Sequence, residues 1–120
     1  MRVFWVGVAG ALGAISRYAI GRAVGVQQFP WATLAINISG SLVLAFVVTF
    51  ATQRHWNVDV STAITVGFVG AYTTFSTFEW ETFVMARSDR AGSAAVYVIV
   101  SVLGGLAAAW CGYQLARRAA

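Results

Sequence analysis

Four apolar segments make up most of this sequence, and short polar stretches separate them. Each segment is near the ~20 residues that an α-helix needs to cross a bilayer. The pattern predicts an all-α integral membrane protein, with one four-helix transmembrane domain over residues 1–120 and both termini on the same side. The predicted helices are 3–24, 31–52, 61–86 and 94–116.

Composition supports the membrane assignment. The chain is 59% hydrophobic and 10% charged, whereas charged residues make up about 25% of an average soluble domain. The first segment contains Arg17 and exceeds the ~7–15-residue apolar core of a cleaved signal sequence, so we expect it to stay in the mature protein. The net charge of +4 comes from scattered arginines rather than a basic run. The expected partner is therefore the lipid bilayer and not nucleic acid.

The arginines divide almost evenly between the two sides of the membrane. Orientation follows the excess of Lys and Arg in short loops, and with Arg17 set aside as buried the division is four against three. This balance is compatible with insertion in both orientations, and oppositely inserted copies can pair about an axis in the membrane plane. A weak bias that a folding factor overrides is the alternative. The two sets are Arg2, Arg54, Arg117 and Arg118, against Arg22, Arg87 and Arg90.

An enzyme is not expected from this residue set. The chain has one cysteine, Cys111, and one histidine, His55, so it offers neither an internal disulfide nor a cluster of transition-metal ligands. It contains no Gly-x-Ser-x-Gly elbow and no phosphate-binding loop. The chemistry must come from polar groups inside the membrane, which are costly unless they face protein, water or a permeant species.

One such group is Asn37, near the middle of the second segment. Helical spacing places Gly40, Ser41 and Leu44 on the same stripe. A carboxamide N–H can donate to an anion, which favours a role in ion passage. A packing seam of small residues, with the asparagine as an interhelical hydrogen bond, is the alternative.

The third segment combines glycines, hydroxyl residues and two phenyl rings. Gly67 and Gly70 weaken a helix, and the hydroxyl side chains between 73 and 77 compete for its backbone hydrogen bonds. We predict a break near 70–75, whose freed carbonyl oxygens would suit a hard cation such as Na⁺. Phe75 and Phe78 share a face if the helix resumes, and their electropositive ring edges would contact an anion weakly. Lipid or core contact is the common alternative for phenylalanines at this spacing.

Three stretches of the chain carry most of its distinctive residues. They read Gly-Ala-Leu-Gly-Ala-Ile-Ser-Arg-Tyr at 10–18, Thr-Leu-Ala-Ile-Asn-Ile-Ser-Gly-Ser at 33–41, and Gly-Phe-Val-Gly-Ala-Tyr-Thr-Thr-Phe-Ser-Thr-Phe at 67–78. In this order they resemble the Fluc (CrcB-type) fluoride channels. The resemblance implies an antiparallel, dual-topology homodimer in a bacterial-type plasma (inner) membrane. It further implies two pores per dimer that passively export F⁻ and relieve cytoplasmic fluoride toxicity.

The resemblance also implies roles for individual residues. Asn37 would contact the ion, Phe75 and Phe78 would form a box of ring edges, and the backbone carbonyls of Gly70 and Thr73 would hold a structural Na⁺ at the dimer centre. Further polar residues would line or flank the pathway. They are Thr74, Ser76, Thr77, Glu81, Tyr97 and Ser101. Arg17 matches an arginine near the aqueous vestibule, with a snorkelling or inter-chain structural role as the alternative.

Two departures and two other classes of protein complete the interpretation. Ala71 stands where many family members have glycine, and Glu79 is an extra carboxylate whose charge should repel F⁻. A small four-helix proton-coupled antiporter would need a carboxylate in its first helix, where this chain has Arg17. A non-transporting membrane assembly subunit would leave the polar residues of 73–78 without a function.

Overall fold

The computed structural model describes residues 1–119, and these are almost entirely helical, with no strand among them. The all-α class predicted from the hydropathy pattern is confirmed. Helices α1, α2 and α6 are long and apolar enough to cross a membrane, and a series of shorter helical pieces between α2 and α6 forms the third of the four apolar segments. The elements are α1 (Arg2–Val24), α2 (Trp31–Gln53), α3 (Val58–Thr62), a π-helical segment (Ala63–Val69), α4 (Gly70–Tyr72), α5 (Phe75–Arg87) and α6 (Ala91–Ala119).

The helices extend past the apolar segments at several ends. The third segment already begins at Val58, because the side chain of Asn57 accepts a hydrogen bond from the amide of Asp59 at 2.7 Å and caps α3. The last helix runs from Ala91 to Ala119 and includes Arg117 and Arg118 in its final turn. Positive side chains compensate the negative end of a helix, so the helix continues beyond the apolar stretch that hydropathy detects.

Glycines allow the helices to approach each other closely. A Cβ atom added to Gly13 of α1 would lie 2.2 Å from the Phe68 carbonyl oxygen, and one added to Gly112 of α6 would lie 2.2 Å from the Leu42 carbonyl oxygen. Between helices in lipid, close van der Waals packing replaces the hydrophobic driving force. Gly13 therefore brings α1 against the π-helical segment, and Gly112 brings α6 against α2.

The chain is extended for two residues between α4 and α5. Thr73 has φ −78° and ψ 160°, and Thr74 has φ −151° and ψ 118°. The Thr74 side chain accepts a hydrogen bond from the amide of Thr77 and so caps the N-terminus of α5. We call Thr73 and Thr74 the interruption, and the residues of interest lie around it.

Candidate functional site

The interruption frees two backbone carbonyls from helical hydrogen bonds. In a continuous helix the amides of Thr74 and Thr77 would donate to the carbonyls of Gly70 and Thr73, four residues earlier. Here the Thr74 amide donates to Asn37 Oδ1 at 2.9 Å, and the Thr77 amide donates to Thr74 Oγ1 at 3.3 Å. Each amide has one hydrogen, so the helical bonds to Gly70 and Thr73 are replaced by bonds to side chains.

Asn37 of α2 binds the interruption through both ends of its amide. Its Oδ1 accepts from the Thr74 amide, and its Nδ2 donates to the Thr74 carbonyl at 3.0 Å. The two bonds fix the orientation of the carboxamide and leave one Nδ2 hydrogen free of them. One turn further along α2, a Cβ on Gly40 would lie 2.1 Å from Thr73 Cγ2, so glycine at this position lets α2 lie close against the interruption.

Arg17 of α1 also binds the interruption. Its Nη1 donates a hydrogen bond to the Thr73 carbonyl oxygen at 3.1 Å, and the contact is partly buried. The arginine expected near a vestibule thus contacts one of the two carbonyls expected to hold Na⁺. It lies one helical turn from Gly13, where α1 touches the backbone of the third segment.

A cavity of about 280 Å³ lies beside the interruption. We call it the inner cavity. The rings of Phe75 and Phe78 lie 5.9 Å apart on its wall, tilted by 36°. Ser101 Oγ is buried and has no hydrogen-bond partner among residues 1–119. The polar residues of the lining are Asn37, Ser41, Thr73, Thr74 and Ser101. Gly40, Leu44, Val69 and Val102 form the rest of the wall with the two rings.

A partly buried polar triad lies next to Phe78. Glu81 Oε1 accepts from Thr33 Oγ1 at 2.9 Å, and Glu81 Oε2 accepts from the Tyr97 hydroxyl at 2.8 Å. The Tyr97 side chain is fully buried, and its ring packs 5.1 Å from that of Phe78. The triad therefore joins α2, α5 and α6 at one point.

The other side of Glu81 lines a second cavity of about 290 Å³, which we call the outer cavity. The loop between α1 and α2 forms much of its wall, and Arg90 and Trp80 also line it. Arg90 Nη1 donates a hydrogen bond to the Gln28 carbonyl oxygen. The sequence of contacts from the inner cavity to the outer one is therefore Phe78, Tyr97 and Glu81.

Most of the residues singled out in the sequence lie around these two cavities, but not all. Ser76 and Thr77 are exposed and outside both linings, although Thr77 Oγ1 accepts from Thr74 Oγ1 at 2.9 Å. Gly70 is exposed and does not line the inner cavity. Glu79 is exposed and makes no hydrogen bond or ion pair with any side chain of residues 1–119.

Thr33 is a site residue that the sequence interpretation missed. It lies four residues before Asn37, as Ser41 lies four residues after it, so the three share one helical stripe. Extending the Asn37 stripe backwards would have identified it. Its position near the start of α2 made a solvent-facing hydroxyl the more ordinary interpretation.

Comparison with known proteins identifies the family. Residues 4–113 match the sequence model of the family described as CrcB-like protein, Camphor Resistance (CrcB). The chain belongs to this family. The CrcB resemblance inferred from the three motifs is therefore confirmed.

Curated CrcB relatives are similar over nearly the whole chain. A protein named fluoride-specific ion channel FluC 2, of Geobacillus kaustophilus, is 46% identical over 93% of this chain and 90% of its own length. A fluoride-specific ion channel FluC of Acidobacterium capsulatum is 38% identical over 98% of both chains. A FluC 1 protein of Bacillus cereus is 42% identical over 92% of this chain and 83% of its own.

Family membership bears on two further expectations. The relatives are named as ion channels rather than enzymes, which confirms the expectation that this chain is not an enzyme. With three helices long and apolar enough to span, the chain is a multi-pass protein of the bacterial inner membrane, as expected.

Proposed function

We propose that this chain is a fluoride channel that passively exports F⁻ and so relieves fluoride toxicity in the cytoplasm. The observation that carries the proposal is the inner cavity, where a carboxamide held in one orientation, two phenyl rings and a buried hydroxyl without a partner converge. The names of the curated relatives support the same ion.

The donors of the inner cavity suit a small, strongly hydrated anion. A pore must replace the ion's water well enough for entry but without forming a deep trap. Asn37 keeps one N–H that its bonds to Thr74 do not use, and the Ser101 hydroxyl can turn its hydrogen toward an ion. The ring edges of Phe75 and Phe78 add weak positive contacts. None of these groups carries a full charge, so the ion is solvated without being captured.

We infer that the triad at Glu81 forms the next section of the pathway. Thr33 and Tyr97 already donate to the carboxylate, which places two hydroxyl donors between the inner and outer cavities. An anion that passes Phe78 can take a hydrogen bond from either hydroxyl in place of Glu81. Arg90 on the outer cavity supplies positive charge at the exit.

We propose that two copies of the chain pair in opposite orientations, so that the membrane contains an antiparallel, dual-topology homodimer with two pathways. In a single protomer Phe75 is 70% exposed, and Gly70 is exposed as well. A pathway wall left open in this way needs a second protein surface, because lipid cannot solvate an anion. The near-even division of arginines favours pairing with an inverted copy over pairing with a parallel one.

We further propose that the interruption is a break of the third transmembrane helix and that its carbonyls hold a structural Na⁺ between the two copies. The donor set fits such an ion, since the oxygens of Gly70 and Thr73 have lost their helical amide partners and unwound carbonyls coordinate Na⁺ in membrane proteins. When bound, the cation would neutralise carbonyl dipoles contributed by both chains.

Efflux from proteoliposomes tests the proposal. Purified protein reconstituted into fluoride-loaded liposomes should release F⁻ to an external electrode down its own gradient, with no proton gradient required. Release that occurs only against a proton gradient would instead indicate an exchanger. Release no faster than from empty liposomes, by protein shown to be folded and paired, would contradict the channel and favour an assembly subunit.

A further inference from the structure

Arg17 occupies an unusual position for a membrane arginine. Its guanidinium donates to the Thr73 carbonyl at the interruption, at 3.1 Å, in the middle of the third apolar segment. Other arginines of residues 1–119 bond near the ends of the helices. Arg2 pairs with Asp59, and Arg90 binds the Gln28 carbonyl.

The fold explains how α1 delivers this side chain. Gly13 and Arg17 are one turn apart, so they lie on the same face of α1. At Gly13 the helix is so close to the third segment that an added Cβ would meet the Phe68 carbonyl oxygen at 2.2 Å and the Tyr72 amide nitrogen at 3.1 Å. The close contact at Gly13 brings the next turn, with Arg17, level with Thr73.

The electrostatics of the interruption call for a positive charge at that oxygen. The helical run from Val58 to Tyr72 ends there, and the carbonyl end of a helix carries a partial negative charge that cations stabilise. Asn37 binds the Thr74 backbone with a neutral amide. The partial negative charge at the end of α4 is therefore compensated by the positive charge of Arg17. A cation held by the Thr73 carbonyl would perform the same function.

We propose that Arg17 is the built-in cation of the unpaired protomer. It holds the Thr73 carbonyl before two copies meet, and in the assembled pair it competes with Na⁺ for that oxygen. The inference rests on the proposed Na⁺ site, and it assigns Arg17 a positioning role that sets how much Na⁺ the pair requires. Two positive charges on one carbonyl repel each other, so removing the charge at 17 should strengthen cation binding.

The test measures stability against Na⁺ concentration. The full chain in detergent is heated at a series of NaCl concentrations, with N-methylglucamine chloride keeping the ionic strength constant, and the dimer fraction is followed by cross-linking. Arg17→Gln removes the charge and keeps an amide donor. Arg17→Lys keeps the charge. Arg22→Gln is the matched control, because it removes one charge from an exposed position in the last turn of the same helix.

The competition predicts a distinctive pair of changes in Arg17→Gln. Without Na⁺ the variant should melt lower than wild type, since the carbonyl end has lost its cation. The Na⁺ concentration for half-maximal stabilisation should nevertheless fall by about tenfold or more, the factor expected when a nearby like charge is removed from a partly buried site. Arg17→Lys and Arg22→Gln should keep the wild-type Na⁺ dependence. A merely structural arginine would lower stability at every Na⁺ concentration without moving the midpoint downward.

Three results would overturn the inference. They are an unchanged or raised Na⁺ midpoint in Arg17→Gln, a wild-type protein whose stability does not respond to Na⁺, and an Arg17→Gln chain that high Na⁺ fails to rescue from misfolding. None of these readouts uses fluoride. Wild-type F⁻ efflux, measured separately, decides the proposed function. A failure of the Arg17 inference can therefore be distinguished from a failure of the fluoride-channel proposal.

Discussion

The carboxamide of Asn37 is expected to keep the interruption open, and its removal gives the sharpest test of the site. Asn37→Ala deletes two hydrogen bonds to the Thr74 backbone, of 2.9 and 3.0 Å. Each is worth about 0.5–1.5 kcal/mol, which predicts a loss of about 1–3 kcal/mol in the free energy of unfolding. The freed Thr74 amide can also return to the Gly70 carbonyl and restore helix at the interruption.

The effect on transport should exceed the effect on stability. The alanine variant lacks the donor to the ion, and a hydrogen bond to a charged group is worth about 1.5–3 kcal/mol. If the ion passes Asn37 at the highest barrier, this corresponds to a roughly 10- to 100-fold slower flux. Asn37→Asp keeps an acceptor for the Thr74 amide but places a carboxylate oxygen against the Thr74 carbonyl in place of the Nδ2 donor. An unpaired charge in a partly buried site is costly, so this variant should be no more stable than the alanine variant and should conduct no better.

The assay combines F⁻ efflux from liposomes with a denaturant titration of the same samples. Thr52→Ala is the matched control, because it removes one hydrogen bond that is local to α2, from the Thr52 hydroxyl to the Val48 carbonyl. That control should transport at the wild-type rate. Full F⁻ flux through Asn37→Ala, with wild-type stability, would refute both the stabilisation of the interruption by the Asn37 hydrogen bonds and the contact of Asn37 with the ion.

Three further predictions follow from the geometry of the inner cavity. Phe75→Ile and Phe78→Ile should each slow F⁻ efflux while cross-linking still detects the proposed dimer, because isoleucine fills space without a positive ring edge. Unchanged flux in both variants would show that the ring edges do not contact the ion. Gly40→Ala should lower stability by about 1–3 kcal/mol through overpacking, since its Cβ would lie 2.1 Å from a methyl group of the interruption. Gly92→Ala is the control and should keep the wild-type stability, because open space surrounds it. Equal melting temperatures of the two variants would contradict the close approach at Gly40. Ser101→Ala removes a buried hydroxyl that has no hydrogen-bond partner among residues 1–119, so stability should stay the same or rise while efflux slows. A destabilised variant with full flux would show that the hydroxyl serves packing instead.

Much of the architecture could be predicted from hydropathy, because the bilayer requires long apolar helices and short connections. The same signal could not detect the π-helical segment from Ala63 to Val69, since a change in helical pitch leaves the average hydropathy unaltered. It also placed the last helix too short, because arginines at the membrane surface continue a helix that hydropathy treats as finished.

The site was predictable where neighbouring residues in sequence are neighbours in space. Thr74, Phe75 and Phe78 belong to one stretch of chain, and all three residues line the inner cavity. Contacts between distant segments were not predictable in detail. The bond from Arg17 to the Thr73 carbonyl depends on how closely α1 can approach, and that distance is decided by the packing at Gly13.

Glu79 is still without an assigned role. Its carboxylate is exposed on α5, one residue after a ring of the inner cavity, and no partner for it exists among residues 1–119. In an assembled pair this surface would face protein or water rather than lipid, because an ionised carboxylate in lipid is costly. Nothing in the structure explains the extra charge.

The initial rate of F⁻ release from liposomes containing the purified wild-type chain tests the central claim most directly. With K⁺ permeability supplied by an ionophore and no proton gradient, the account predicts rapid release that far exceeds the leak from empty liposomes, and little release when Cl⁻ replaces F⁻ inside. Fluoride release at the rate of empty liposomes, from protein shown to be folded and dimeric, would contradict it.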